Sequence, residues 1–201
     1  MRKERGYTTR NAILITVGAV VGIVILFGAI YITTYNSLVH TDESVKAGWA
    51  EVQNQYQRRY DLLPPLVNAT KMYINYEQSV LTEITEMRSA WTQSLNQPVE
   101  QQMDTMNQFD STMNRLLAIV SVESYPELKA DGTVMTLMDQ VEGTENRIAV
   151  ARGRYIVDVR SYNNAVRGFF SGIVARNMGL ELRPTFAAVQ GAEEGIKIPI
   201  G

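Results

Sequence analysis

Residues 134–173 read VMTLMDQVEGTENRIAVARGRYIVDVRSYNNAVRGFFSGI, and one face of this stretch decides the fold. Val134, Met138, Val141, Glu145, Ile148, Arg152, Tyr155, Val159, Tyr162, Val166, Phe169 and Ile173 follow one another in alternating steps of four and three. Residues spaced in this way share one side of an α-helix. Sustained over so many turns, the pattern is a seam of the coiled-coil kind. At 1.5 Å per residue such a helix reaches about 60 Å. It is expected to extend past its partners or to bend. Gly143-Thr144 and Gly153 fall within the helical period and read as close-packing points.

Upstream, the same period recurs. Val45, Trp49, Val52, Tyr56, Tyr60 and Leu63 form one stripe. Thr41 or Asp42 caps an irregularity just before it, or the helix continues straight from the segment upstream. Leu66, Thr70, Tyr73, Glu77, Val80, Ile84, Met87 and Trp91 form a second stripe, ended by Asn96-Gln97-Pro98. Val99, Met103, Met106, Asp110, Met113, Leu117 and Val120 form a third, which stops near Ser124-Tyr125-Pro126, with Asp131-Gly132 as a turn signal. Between the first two stripes lie Pro64 and Pro65. Proline lacks an N–H and clashes with the preceding turn. A helix boundary is therefore expected there, with Asp61 placed to cap the new helix; one long kinked helix is the alternative. No stretch shows strict apolar–polar alternation. Short connections favour antiparallel neighbours. The expected fold is all-α: an antiparallel up-and-down four-helix bundle with long helices over residues 35–176, and an irregular tail over 177–201.

Residues 12–32, AILITVGAVVGIVILFGAIYI, carry no charge across 21 positions. That length matches the roughly 30 Å hydrocarbon core of a bilayer, where a helix satisfies every backbone group internally. The apolar run is longer than that of a cleavable signal peptide and ends without a convincing small-x-small site, so an uncleaved transmembrane anchor is expected. The tail before it, residues 1–11, holds Arg2, Lys3, Arg5 and Arg10 against Glu4, a net +3, and no basic residue follows the span until Lys46. Basic flanks stay in the cytoplasm. The expected placement is therefore a single-pass protein of the inner membrane, N-terminus cytoplasmic and domain on the far side. Gly18-x-x-x-Gly22 within the span has the small-residue spacing that lets two membrane helices approach closely.

The remaining chain, residues 12–201, sums to −5. Nucleic-acid binding depends on clustered cations, so no nucleic-acid partner is expected. With no cysteine, disulfides, thiolate nucleophiles and cysteine metal sites are excluded. The one histidine, His40, stands beside Thr41 and Asp42 close after the span and reads as a surface residue, not as the base of a catalytic triad. There is no phosphate-binding loop of the G-x-x-x-x-G-K type.

The apolar stripes are interrupted by Glu77, Asp110, Glu145 and Arg152, with Arg58, Arg59 and Asp61 near the first stripe. Carboxylates facing into a bundle raise the prospect of a bridged di-metal site, but such sites also take Glu-x-x-His from two helices, and this chain has no Glu-x-x-His. An internal ion-pair network that sets helix register is the expected role. Cofactor, metal and small-molecule substrate are not expected, nor enzymatic activity.

Several blocks stand out along the chain: Tyr35-Asn36-Ser37-Leu38-Val39, then Arg58-Arg59-Tyr60-Asp61-Leu62-Leu63-Pro64-Pro65-Leu66-Val67, and Tyr125-Pro126-Glu127-Leu128-Lys129-Ala130. Gly143 through Arg152, Arg154-Tyr155 and Ser161-Tyr162-Asn163 follow. In this order, from the expected anchor to about Phe186, they resemble the LemA family. The family usually carries Pro-Asn-Leu at Pro64-Pro65-Leu66, Tyr-Asn at Tyr155-Ile156, and often Phe-Pro near Phe169-Phe170. The resemblance implies one membrane helix followed by an antiparallel bundle. It brings no established activity and no catalytic residues. The expected role is a scaffold or adaptor that self-associates or binds another membrane protein, for which Met103, Met106 and Met113 would offer an adaptable surface. Engagement of the lipid bilayer by Phe169, Phe170 and Ile173, near Val174, Met178, Arg167 and Arg176, is the alternative.

Overall fold

The computed structural model describes residues 4–74, 78–120, 127 and 130–186. Among them the regular structure is helical throughout: α1 (Glu4–Thr70), α2 (Gln78–Ser94), α3 (Val99–Val120), α4 (Gly132–Arg167) and α5 (Phe169–Asn177). Two compact units divide the chain, Val45–Val159 with Pro184–Gly201, and Met1–Ser44 with Arg160–Arg183.

In the first unit the stripes become a core. Val45, Trp49, Val52, Tyr56, Tyr60 and Leu63 are all buried. Arg59 meets Glu145 and Trp49 meets Tyr155, so α1 and α4 are antiparallel. Gln53 meets Gln102 and Arg59 meets Asp110, so α1 and α3 are parallel. α2 returns against α3 through the turn at residues 95–98, with Glu83 accepting from Thr112. The result is the expected up-and-down bundle. Its centre is aromatic: Tyr60 stacks on Phe109 at 3.9 Å and on Trp91 at 5.0 Å, and Trp91 Nε1 donates to Gln57 at 2.8 Å.

Three details differ from the sequence reading: where α1 ends, how the second stripe is divided, and which face of α3 is buried. α1 does not end at Pro64-Pro65 but continues to Thr70, and Asp61 caps nothing: it lies mid-helix, exposed, accepting from Gln57. An interior proline costs about 3 kcal/mol. Tyr60, Leu63 and Leu66, all buried on one face, each return about 1.5–3 kcal/mol, which keeps the helix intact across the pair. The second stripe is consequently split. Leu66 and Thr70 close α1, whereas Ile84 and Trp91 belong to α2; Glu77 lies outside the described residues, as does the side chain of Val80. On α3 the buried positions are Met103, Met106, Phe109, Met113, Leu116 and Val120. Phe109 and Leu116 take the places assigned to Asp110 and Leu117, because the apolar neighbour at the stripe's edge turns inward and the carboxylate flanks it. The three methionines are therefore core, not an adaptable surface.

α4 opens on Asp131, whose Oδ1 accepts from the N–H groups of Thr133 (2.8 Å) and Val134 (3.3 Å), an N-cap. Tyr73 also donates to it at 3.0 Å. In the same unit Tyr155 donates to the Pro184 carbonyl at 3.0 Å, and Phe186 is buried against Trp49 and Tyr155. The sequence reading assigned this part of the chain to an irregular tail.

In the second unit α1 runs without a break past Thr41 and Asp42. His40 is exposed, as expected. The long seam does not run unbroken to Ile173: Gly168 is extended (φ −61°, ψ 151°) and separates α4 from α5. Gly172 permits the tight corner, since a Cβ there would lie 2.9 Å from the Val166 carbonyl oxygen. Past the corner the buried residues are Gly172, Val174 and Ala175, with Val174 and Ala175 packed on Leu38. Phe169 and Ile173 are consequently exposed instead of on the seam. Gly179, at φ +69°, ends α5. The chain after it is held down by side chains: Tyr162 donates to the Glu181 carbonyl (2.9 Å), Asn163 exchanges two bonds with the Arg183 backbone, and Arg183 pairs with Asp42 at 2.9 Å.

These anchoring points can be tested one at a time. Phe186→Ala should lower the unfolding free energy in a urea titration by about 3 kcal/mol, the cost of emptying a buried aromatic site. Asp131→Ala should lower the melting temperature at neutral pH. The Tyr73 hydroxyl, then the α4 N–H groups, hold the Asp131 carboxyl below the usual carboxylate range. A depressed folded-state pKa stabilises above the unfolded value, near 4, and is lost as pH falls through the folded one. The difference between variant and parent should therefore narrow in melts run below about pH 4.

Candidate functional site

The charges that interrupt the apolar stripes converge between α1, α3 and α4. Arg59 is 2% exposed. Its Nη1 donates to Asp110 Oδ1 at 2.8 Å and its Nη2 bonds Glu145 Oε1. Arg152 Nη1 donates to Asp110 Oδ2 at 3.0 Å and to the Tyr56 hydroxyl at 3.2 Å, and Tyr56 itself donates to Asp110 Oδ2 at 2.9 Å. Arg152 Nη2 reaches Asn107 at 3.4 Å. Two rings cover the guanidiniums, Phe109 over Arg59 at 5.2 Å and Phe186 over Arg152 at 4.0 Å. An open groove of about 460 Å³ runs alongside, lined by these four charged residues together with Asn114 and Gly153.

Asp110 is the shared acceptor. Burial raises its pKa, and outweighs the opposing pull of the Tyr56 hydrogen bond and the two guanidiniums. A raised carboxyl pKa stabilises the fold below the unfolded value and loses that contribution as pH rises through the folded one. Ionising Asp110 is thus a net cost even with its partners in place. What the pairing supplies instead is directional: bonds from α1 and α4 meet on one carboxylate of α3. Burial is also the leading cause that raises the Tyr56 hydroxyl well above its ordinary value, with the Asp110 charge second, so Tyr56 stays a donor. The two carboxylates do not face each other across an empty centre. Arg59 bonds both, supplying the positive charge that a bridging cation would bring. Among the described residues no three potential ligands gather in a metal-binding group.

The structure brings together Arg59, Asp110, Glu145 and Arg152 out of the charged set. Arg58 does not join them: it is exposed and lines a separate groove with Asp139 and Arg147. Asp61 is also apart, and Glu77 lies outside the described residues. Tyr56, Asn107 and Phe186 belong to the network and were missed. Tyr56 was legible as core but its hydroxyl carried no pattern, and Phe186 stands alone in a stretch without periodicity. Gly18 and Gly22 face open space: a Cβ added at either would meet nothing among the described residues within 4 Å. The same holds for Gly143 and Gly153, so neither is a close-packing point among the described residues. Phe169, Phe170 and Ile173 are exposed on α5.

A family model described as "LemA family" matches residues 48–199. A similar curated protein is Protein LemA of Metamycoplasma hominis, 23% identical over 155 residues, covering 77% of this chain and 69% of that protein.

The network predicts an asymmetric mutational response in chemical denaturation. Arg59→Met takes the guanidinium from both carboxylates, leaving half-buried Asp110 with Arg152 and Tyr56 alone, and should cost about 3 kcal/mol. Glu145→Leu should cost less, about 1–2 kcal/mol, because it removes the acceptor of the buried Arg59 Nη2 while Asp110 still pairs Nη1 and the Glu145 carboxylate itself is 43% exposed. Equal effects of the two substitutions would refute this division of roles.

Proposed function

The chain belongs to the LemA family, and from that membership we propose that it is a non-enzymatic scaffold of the bacterial cell envelope, anchored by α1 and self-associating through the outer face of α4. α1 is long and apolar enough over its first part to cross a membrane, which fits a membrane-associated protein. The basic flank before the span supports a cytoplasmic N-terminus with the bundle on the opposite side. The non-enzymatic reading is supported by the bonding of the charged residues: Arg59, Asp110, Glu145 and Arg152 bond one another and hold three helices in register.

The observation that carries the scaffold reading is a second stripe on α4, opposite in character to the buried one. Gly143, Asn146, Val150, Gly153 and Val157 follow in steps of three and four, and all are exposed, Val157 by 63%. A single exposed valine needs no explanation. Two valines seven residues apart, alternating with glycines that have open space over them, give a helix face on which a second helix can approach closely. The occupant proposed is the same face of a second copy, since a self-complementary contact closes into a two-fold dimer.

The absence of cysteine in the chain gives a direct test. Val157→Cys, oxidised in native membranes, should yield a reducible dimer on denaturing gels, and Glu100→Cys on α3 should not. Val157→Glu in the intact chain should reduce the dimer fraction seen by light scattering. A Val157→Cys protein that stays monomeric would overturn self-association through this face.

A further inference from the structure

The corner between α4 and α5 leaves large apolar side chains exposed. Phe169 is 89% exposed, and Phe170 and Ile173 are exposed beside it. The opposite side of α5 is occupied, because Val174 and Ala175 pack on Leu38. What lies over the exposed side is indicated by one contact. The Phe170 ring stacks on Phe27, centroids 6.1 Å apart. Phe27 lies within the uncharged stretch of residues 12–32, about one helical turn, or ~6 Å, deeper than Tyr31. Tyr31 and Tyr35 are exposed at the end of that stretch, where aromatic residues mark the membrane–water boundary.

We propose that the start of α5 is a second membrane-embedded element, with Phe169, Phe170 and Ile173 inserted at the boundary between headgroups and acyl chains of the leaflet that α1 leaves. The depth set by Phe27 agrees with the ~5–10 Å insertion of interfacial apolar side chains. The flanking chemistry agrees as well. Arg167 precedes the inserted pair and Arg176 follows it, both exposed, and arginines there can extend their heads to lipid phosphates while their stems stay in the apolar layer. Two glycine N–H groups at the corner are bonded: Gly168 N–H donates to the Ala165 carbonyl at 3.3 Å and Gly172 N–H to the Gly168 carbonyl at 2.7 Å. The inference is independent of self-association through α4, which rests on other residues.

The test uses the full chain in single-copy nanodiscs. Phe169→Trp places a reporter at an exposed position where an indole disturbs no packing, and the parent protein, with buried Trp49 and Trp91, supplies the background. The added emission should be blue-shifted and should be quenched when the nanodisc lipids carry bromine on their acyl chains. Emission at a water-exposed wavelength without quenching would overturn the proposal. A blue shift without quenching would also overturn it, by showing protein and not lipid over the site. Phe170→Trp, at a partly covered position, should give the same response, and a lack of quenching there would count against the assigned depth.

Discussion

Arg59 is the constraint on which the bundle unit depends. A guanidinium cannot give up its proton, so burial must be answered by acceptors placed around it. Those acceptors come from two other helices, Asp110 on α3 and Glu145 on α4. The requirement fixes where three helices meet along their lengths. Apolar contacts are non-directional and tolerate a shift of one turn, whereas a shift here would leave a buried charge unpaired, at several kcal/mol. Arg152 ties the same carboxylate from the α4 side and Tyr56 donates to it from α1, so Asp110 receives a donor from each of the helices it must align with. The aromatic layer of Tyr60, Trp91 and Phe109 then packs beside a junction whose register is already set.

The faces of the helices were legible in the sequence because a bundle repeats one physical demand every 3.6 residues. Val45 through Leu63 were read correctly to the residue. The errors arose where a non-periodic demand intervened. Local proline chemistry argued for a boundary at Pro64-Pro65, and it lost to the burial of Tyr60, Leu63 and Leu66, a tertiary gain invisible to a local rule. The four-and-three spacing also drifts against the true helical period. It placed Asp110 and Leu117 inward where Phe109 and Leu116 point. The break at Gly168 had the opposite cause: the pattern continued through Phe169 and Ile173 while the backbone turned, and a glycine within an apolar run gave only a weak hint.

The candidate site was legible as a set of charges and illegible as a network. Arg59, Asp110, Glu145 and Arg152 could be named because they interrupt apolar stripes. Arg58 and Asp61, close in sequence to Arg59 and equally charged, were grouped with them, yet one helical residue is a rotation of about 100°, and that rotation puts them in water. The partners that complete the network, the Tyr56 hydroxyl and the Phe186 ring, carry no charge and hence no interruption to notice. Phe186 is brought to Arg152 by a chain segment without secondary structure, and its place depends on Tyr155 bonding the neighbouring Pro184 carbonyl, a contact that no spacing rule encodes.

The two exposed apolar features differ in what water demands of them. Val150 and Val157 are branched aliphatics separated by a glycine on a helix whose neighbours include Arg147 and Arg154; such a face is soluble alone and gains by covering. Phe169 and Phe170 are different. Fully removing one phenyl group from water is worth about 1.5–3 kcal/mol, and Phe169 receives almost none of that from the chain. A fold that buries Val174 and Ala175 beside an exposed Ile173 has rotated the small side chains inward and the large ones outward, the reverse of what a water-facing helix requires. That inversion is stable where the outer medium is itself apolar. Phe170 rests on Phe27, within the stretch of α1 long and apolar enough to cross a membrane, and the proposed insertion of α5 would supply such a medium.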